Sequence, residues 1–411
     1  MNRTALKPFY HIIYVAVIGM FLSGIAKADK VTDWNLIAHT AENNISGRSN
    51  GSVFIDLAYV HIAMYDAVNA IDGRYTVFAV RPTNVPIGAS KEAAAVEAGY
   101  RVFRAIIPSS QWAYVDAQYA ISLASIPDSQ SKEGGKAVGA EVATLFLASR
   151  AGDGRGNPAI TYVPGSGPGA WVPTPPNFPA ASTPWLAVMR PFAIESPSQF
   201  RADPPPALDS AEYAADFDET RRLGSLNSAE RTPEQTELAR FFLDTAAQAG
   251  RTIRGVAVDH ALSLEDEARF YAQVYVSEAD SWIVGWDSKY FYSRWRPITA
   301  IRATVDPSWT ALTNTPGHPE YPSAHAFQTA SYSEAFRQFL GTKHLNVTLT
   351  STTTGTTRTY NNTDDLLKDV TDARIFAGFH FRTSCIRGEI IGKKVAKYVA
   401  RNYFLPVDKK Q

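Results

Sequence analysis
From about residue 32 to residue 150, apolar side chains recur every three to four positions. The stretches VFIDLAYVHIAMYDAVNAI, EAAAVEAGYRVFRAII and GKAVGAEVATLFLASR all carry this spacing, which places the apolar residues on one face of an α-helix. Strict alternation, the mark of a half-buried strand, is nearly absent there. From Gly152 to Pro206 the periodicity dissolves, and prolines and glycines crowd into NPAITYVPGSGPGAWVPTPPNFP and ADPPP. Proline breaks helices and withholds a ladder donor, so an irregular segment over 152–206 is predicted, of the length that covers a site. Helical spacing returns in TPEQTELARFFLDTAAQ, in LEDEARFYAQVYVSEADSWIVGWDSKYFYS, after Pro322, and in TDARIFAGFHF and GEIIGKKVAKYVARNYF. The threonine-rich run VTLTSTTTGTTRTY at 347–360 reads as an exposed hairpin. The expected fold is all-α: an irregular helical bundle with a long Pro/Gly-rich covering loop and a small Thr-rich hairpin. Residues 29–230 form an N-terminal helical region, and 231–405 form a second helical domain.

The first 28 residues stand outside this pattern. Arg3 and Lys7 precede the apolar run HIIYVAVIGMFLSGIA, which ends at Ala26-Lys27-Ala28. That order reads as a cleaved signal peptide for a periplasmic or secreted protein, with an uncleaved membrane anchor as the alternative. Three of the 40 basic residues (Arg3, Lys7, Lys27) lie in this leader, so cleavage leaves 37 against 40 acidic residues. Such a balance gives no reason to expect a nucleic-acid partner. No later stretch holds 18 consecutive apolar residues, so no membrane span is expected after cleavage. Cys385 is the single cysteine, which excludes an intramolecular disulfide and a cysteine cage for zinc.

Unusual polar residues concentrate in three segments of the C-terminal half. In KYFYSRWRP, Lys289 and Arg296 are seven apart, which two helical turns would bring to one face, with four aromatics between them. A partly buried cationic face of this kind calls for an anion. In GHPEYPSAHAF, Pro322 and Ser323 read as a helix start whose free N–H groups and hydroxyl receive an oxyanion, with His325 one turn in. In ARIFAGFHFRTSC, Arg374 precedes His380 by six residues, and Gly378 offers a break that could turn them together.

Taken in order, these segments resemble the pattern KxxxxxxRP, PSGH, SRxxxxxHxxxD of the type 2 phosphatidic acid phosphatase superfamily. That superfamily includes bacterial acid phosphatases and vanadium-dependent haloperoxidases. Here the pattern stands as Lys289 with Arg296-Pro297, then Pro322-Ser323-Ala324-His325, then Ala373-Arg374 with His380, over about 100 residues. The resemblance implies that 231–405 is the oxyanion-binding domain. Lys289, Arg296, Arg374, Ser323 and the amide of Ala324 would bind vanadate or phosphate. His380 would be the vanadium ligand or the phosphatase nucleophile, His325 the acid/base, and Lys289 the group polarising peroxide.

Three positions depart from the pattern: Ala324 for glycine, Ala373 for serine, and Ser384 for the aspartate of HxxxD. The last removes the carboxylate that would hold the far imidazole nitrogen, and a carboxylate from elsewhere would have to replace it. His318 lies where algal bromoperoxidases carry histidine and fungal chloroperoxidases carry phenylalanine, although a loop histidine bonded to backbone has the same sequence appearance. Trp286, one turn before Lys289, is either a wall of a halide pocket or a core residue. The leading expectation is a secreted vanadate enzyme that oxidises bromide or iodide with hydrogen peroxide and passes the product to small organic acceptors. A soluble acid phosphatase working through a phosphohistidine and a degenerate oxyanion-binding protein are the alternatives. Oligomeric state is left open, a homo-oligomer included.

Overall fold
The structure is a computed structural model that describes residues 29–45 and 47–407. The expected leader at 1–28 lies outside the described residues. Among these residues there are thirteen α-helices and one two-stranded sheet, a mainly helical bundle as the periodicity predicted.

Five helices form the first half: α1 (Lys30–Asn43), α2 (Asn50–Asp72), α3 (Lys91–Ile106), α4 (Trp112–Ala124) and α5 (Gln130–Ser149). The side chains of Asp29, Ser49, Ser90 and Ser129 accept backbone N–H groups at the starts of α1, α2, α3 and α5, donors that the helix itself leaves unpaired. The covering segment follows, with only a short 3-10 turn at Pro184–Val188. Then come α6 (Ala211–Leu223), α7 (Pro233–Phe241), α8 (Thr245–Asp259), α9 (Leu264–Tyr292), α10 (Pro297–Thr304) and α11 (Ala324–Leu340). The hairpin of β1 (Val347–Thr350) and β2 (Thr357–Tyr360) pairs Val347 with Tyr360 in antiparallel register, and α12 (Thr363–Phe376) and α13 (Arg382–Asn402) end the chain.

The 29-residue α9 is buried along most of its length. It packs on α2 at one side and on α11 and α13 at the other, so one apolar core runs from Val31 to Phe404. The covering segment is clasped to the same helix. Asp280 accepts the N–H groups of Phe192, Ala193 and Ile194 at 2.7, 2.8 and 3.0 Å, and Arg201 forms a fork with Asp287 at 2.6 and 2.8 Å. α11 and α13 approach closely where α13 has glycines. A Cβ on Gly388 would stand 2.7 Å from the Ser323 carbonyl oxygen, and one on Gly392 would stand 2.7 Å from the Ser331 nitrogen.

Three local expectations are corrected. The periodic run TPEQTELARFFLDTAAQ is two helices, because the chain breaks at 242–244 between α7 and α8. Lys289 and Arg296 do not share a helical face: α9 ends at Tyr292, Ser293 takes a left-handed conformation (φ 46°), and Arg296 is the N-cap of α10. Pro322 is not in the first turn of α11; Ser323 caps that helix and Ala324 opens it.

Candidate active site
Lys289, Arg296 and Arg374 arrive from the end of α9, the start of α10 and the last turn of α12. Their exposures are 0%, 0% and 1%. Lys289 Nζ donates to the carbonyls of Pro319 and Glu320 at 2.8 and 3.0 Å. Arg296 donates to the carbonyls of His318 and Phe379, both at 2.9 Å, and its Nη1 lies 3.2 Å from His380 Nε2. Arg374 Nη1 donates to the Phe242 carbonyl at 2.7 Å, an acceptor released by the break between α7 and α8. Its Nε is buried with no partner. Burial brings Arg296 down to about 9 and Arg374 to about 10, and holds Lys289 well below its usual range with Arg296 adding to the effect. Cations removed from water without a matching anion are costly, and the cost falls on the charged form.

Glu320 is the one described carboxylate that offsets this charge, acting on both Lys289 and Arg296. It is also the partner His380 needs. Glu320 Oε1 accepts from His380 Nδ1 at 2.9 Å and from the Phe381 N–H at 3.1 Å. Ser384, where the motif has aspartate, stands 3.5 Å from the same Nδ1 and donates to the Glu320 carbonyl at 3.4 Å. The carboxylate missing at 384 is therefore supplied from 320, across the turn between α12 and α13. With Nδ1 bonded to a carboxylate, the proton sits on Nδ1 and the Nε2 lone pair faces the cations. Burial pushes Glu320 up to about 7, with Lys289, Ser384 and Arg296 opposing. His380 is lowered by burial first and then by Arg296, Lys289 and Arg374, which keeps its ring neutral.

The hydroxyl of Ser323 is fully buried and accepts or donates no hydrogen bond to nitrogen or oxygen. Its backbone N–H already donates to the Ser384 carbonyl, at 3.0 Å. The N–H of Ala324, at the start of the 17-residue α11, lies in the helix's partly positive first turn. Gly378 has φ 76° and turns the chain between Arg374 and His380, as expected.

A cavity of about 450 Å³ opens onto this cradle, lined by His318, Ala324, His325, Arg374 and His380 among others. Lys289, Arg296 and Ser323 sit behind that lining as its buried support. His325 is lowered by burial and by Arg374, with Phe242 as a backbone partner. His318 Nδ1 lies 3.1 Å from Arg296 Nη2, and its ring packs 5.0 Å from that of Trp286. Of the two alternatives for Trp286 the structure shows the core one: it packs against His318 and donates to the Ser182 carbonyl at 3.0 Å, while Trp282, one turn earlier, is the tryptophan that lines the cavity.

The donor set fits vanadate. It offers one imidazole lone pair among three cations, with Ser323 Oγ and Arg374 Nε unpaired, a set that attracts an oxyanion and repels a free metal cation. Eight of the residues singled out from sequence come together here, namely Lys289, Arg296, His318, Ser323, Ala324, His325, Arg374 and His380; Glu320 and Trp282 were missed. Glu320 lay inside the quoted GHPEYP, five residues before His325, and its charge in an otherwise uncharged turn was the available signal.

Known proteins agree with this picture. The family description "VCPO second helical-bundle domain" matches residues 269–408. Vanadium chloroperoxidase of Curvularia inaequalis is 29% identical over 174 residues, 33% of this chain, and the match spans only 28% of that relative's length. A bacterial vanadium-dependent iodoperoxidase superposes with a TM-score of 0.77 at 23% identity, covering 93% of this chain and 97% of the other. A holo-type bacterial vanadium-dependent chloroperoxidase gives 0.71 at 16% identity, covering 92% and 93%. The chain thus shares the fold of bacterial vanadium-dependent haloperoxidases, and residues 269–408 are similar to the second helical-bundle domain of vanadium chloroperoxidase.

Proposed function
We propose that the protein is a secreted, vanadate-dependent haloperoxidase that oxidises bromide or iodide with hydrogen peroxide. The observation that carries this reading is the cradle itself: three buried cations around an imidazole whose far nitrogen is held by the buried carboxylate of Glu320. Bound vanadate supplies the electrophilic centre at which peroxide becomes reactive toward halide.

The chain's own part is electrostatic and protonic. Lys289, Arg296 and Arg374 hold the oxyanion, and Ser323 Oγ and the Ala324 N–H complete its hydrogen bonds. Glu320 keeps the His380 Nε2 lone pair directed inward, as a ligand requires. Halide oxidation consumes a proton (peroxide, halide and one proton give hypohalous acid and water), and His325 at the cavity wall is the group to manage it. Its proton affinity is depressed in the bare cationic site, and a bound anion restores it. His318, tied to Arg296, lines the same space and assists. Bromide and iodide are easier to oxidise than chloride, and the histidine at 318 matches the bromide-using resemblance.

The decisive assay is halogenation of a dye by the mature protein with peroxide and bromide or iodide, with and without added vanadate. Turnover that requires all components supports the reading. The Glu320–His380 pair would equally orient a nucleophile, so hydrolysis of a phosphomonoester with a covalently labelled His380, and no vanadate-dependent halogenation, replaces it by the phosphatase.

A further inference from the structure
Beside the main cavity lies a second one of about 310 Å³, within the size range of small-molecule sites. The two share Thr313 and Asn314 in their walls, so they adjoin there. One face of the annex is apolar, formed by Ile298, Leu312 and Pro175 of the covering segment. The other carries Arg302, in the last turn of α10.

Arg302 is braced but not neutralised. Its Nε donates to the Trp309 carbonyl at 2.6 Å and its Nη2 to Thr310 Oγ1 at 3.2 Å. No described residue accepts from Nη1. Asp306 is within electrostatic reach, but its Oδ1 is occupied by the N–H and hydroxyl of Ser308, at 2.9 and 2.6 Å, and no ion pair closes with Arg302. The hydroxyls of Thr313 and Thr315 are buried without partners. An apolar slot with a fixed guanidinium and unused hydroxyls matches a flat apolar body bearing one carboxylate.

We propose that this annex holds the organic acceptor, an aromatic carboxylic acid with an electron-rich ring, and so directs halogenation to a bound substrate. This rests on the haloperoxidase reading above. Hypohalous acid formed in the main cavity arises next to the annex, which meets that cavity at Thr313 and Asn314. A ring carbon bonds to the halogen, the O–halogen bond breaks, and the displaced ring proton leaves with hydroxide as water.

The test is calorimetric titration of the full chain with 4-hydroxybenzoate and with its neutral counterpart 4-hydroxybenzamide, in phosphate so that the cradle is filled. The acid should bind at least tenfold more tightly than the amide. Arg302→Ala should remove that preference without changing amide affinity, and Arg302→Lys should keep part of it. The KM for bromination of the acid should rise about tenfold in Arg302→Ala. Because Arg302 also braces Trp309 and Thr310, the acid-to-amide ratio of the wild type decides the matter without any variant: equal affinities overturn the proposal. An acid preference that survives Arg302→Ala overturns it too. Binding is read without vanadate or peroxide, so failure of the peroxidase reading appears separately, as absence of halide oxidation in the wild type.

Discussion

Glu320→Gln is the sharpest test of the site. Oε1 of Glu320 receives two donors, His380 Nδ1 and the Phe381 N–H. Those donors will hold the glutamine carbonyl in the same place, so the substitution removes charge while keeping geometry. Two effects then oppose. Losing a negative charge beside the cradle favours any anion, by about 2 kcal/mol at ~7 Å and an effective dielectric of about 20. Weakening a charge-assisted hydrogen bond to a neutral one costs about 1–1.5 kcal/mol, roughly tenfold, in the basicity that Nε2 offers a ligand. Phosphate feels the first effect; vanadate, held also by Nε2, feels both. The ratio of vanadate to phosphate affinity cancels the shared term, and it should fall about tenfold in the variant. Competitive calorimetry at pH 8, above the value of about 7 where Glu320 ionises, measures it. As pH falls through that value the wild type loses its carboxylate charge and the two proteins converge. An unchanged ratio at pH 8 would refute the assignment of Glu320 as the partner that tunes His380.

Further outcomes follow from the same geometry. Lys289→Met removes a fully buried cation; it should leave the stability of the anion-free protein unchanged or raise it by up to about 4 kcal/mol, while abolishing the rise in melting temperature on adding phosphate or vanadate. Gly388→Ala places a methyl group 2.7 Å from the Ser323 carbonyl oxygen; it should cost about 1–3 kcal/mol in chemical denaturation and weaken phosphate binding together, because the same shift moves the start of α11. Glu320, raised from 4.5 to about 7 by burial, contributes stability that is present below 4.5 and lost as pH rises through about 7. Against Glu320→Gln, the anion-free wild type should therefore lose up to about 3 kcal/mol of relative stability over that window, read from paired denaturation curves.

How much of this was legible depended on whether the signal was local. Helix existence was legible because α2, α3, α5 and α9 each present a periodic apolar run with a capping serine at its start. The break between α7 and α8 was not, since Phe242 and Leu243 continue the apolar pattern of their neighbours. Site membership was legible from spacing, yet the reason given for Lys289 and Arg296 was wrong. A serine in a left-handed conformation, an uncommon choice outside glycine and asparagine, ends α9 between them and turns the chain. Glu320 was invisible as a partner because it meets His380 across 60 residues of intervening chain.

The placement of α9 explains why such a costly site persists. Three cations with one carboxylate between them would relax outward on a surface, where water would solvate them. Here Lys289 is fixed at the end of a helix clamped on both sides by the core, and Arg374 at the end of α12, which packs on α11. Arg296 is held by two carbonyls from separate turns. None can withdraw without unpacking apolar surface continuous with the rest of the molecule. The repulsion is thus stored in the folded state and released on binding an anion, so the affinity of the cradle and the instability of the anion-free protein have a common origin.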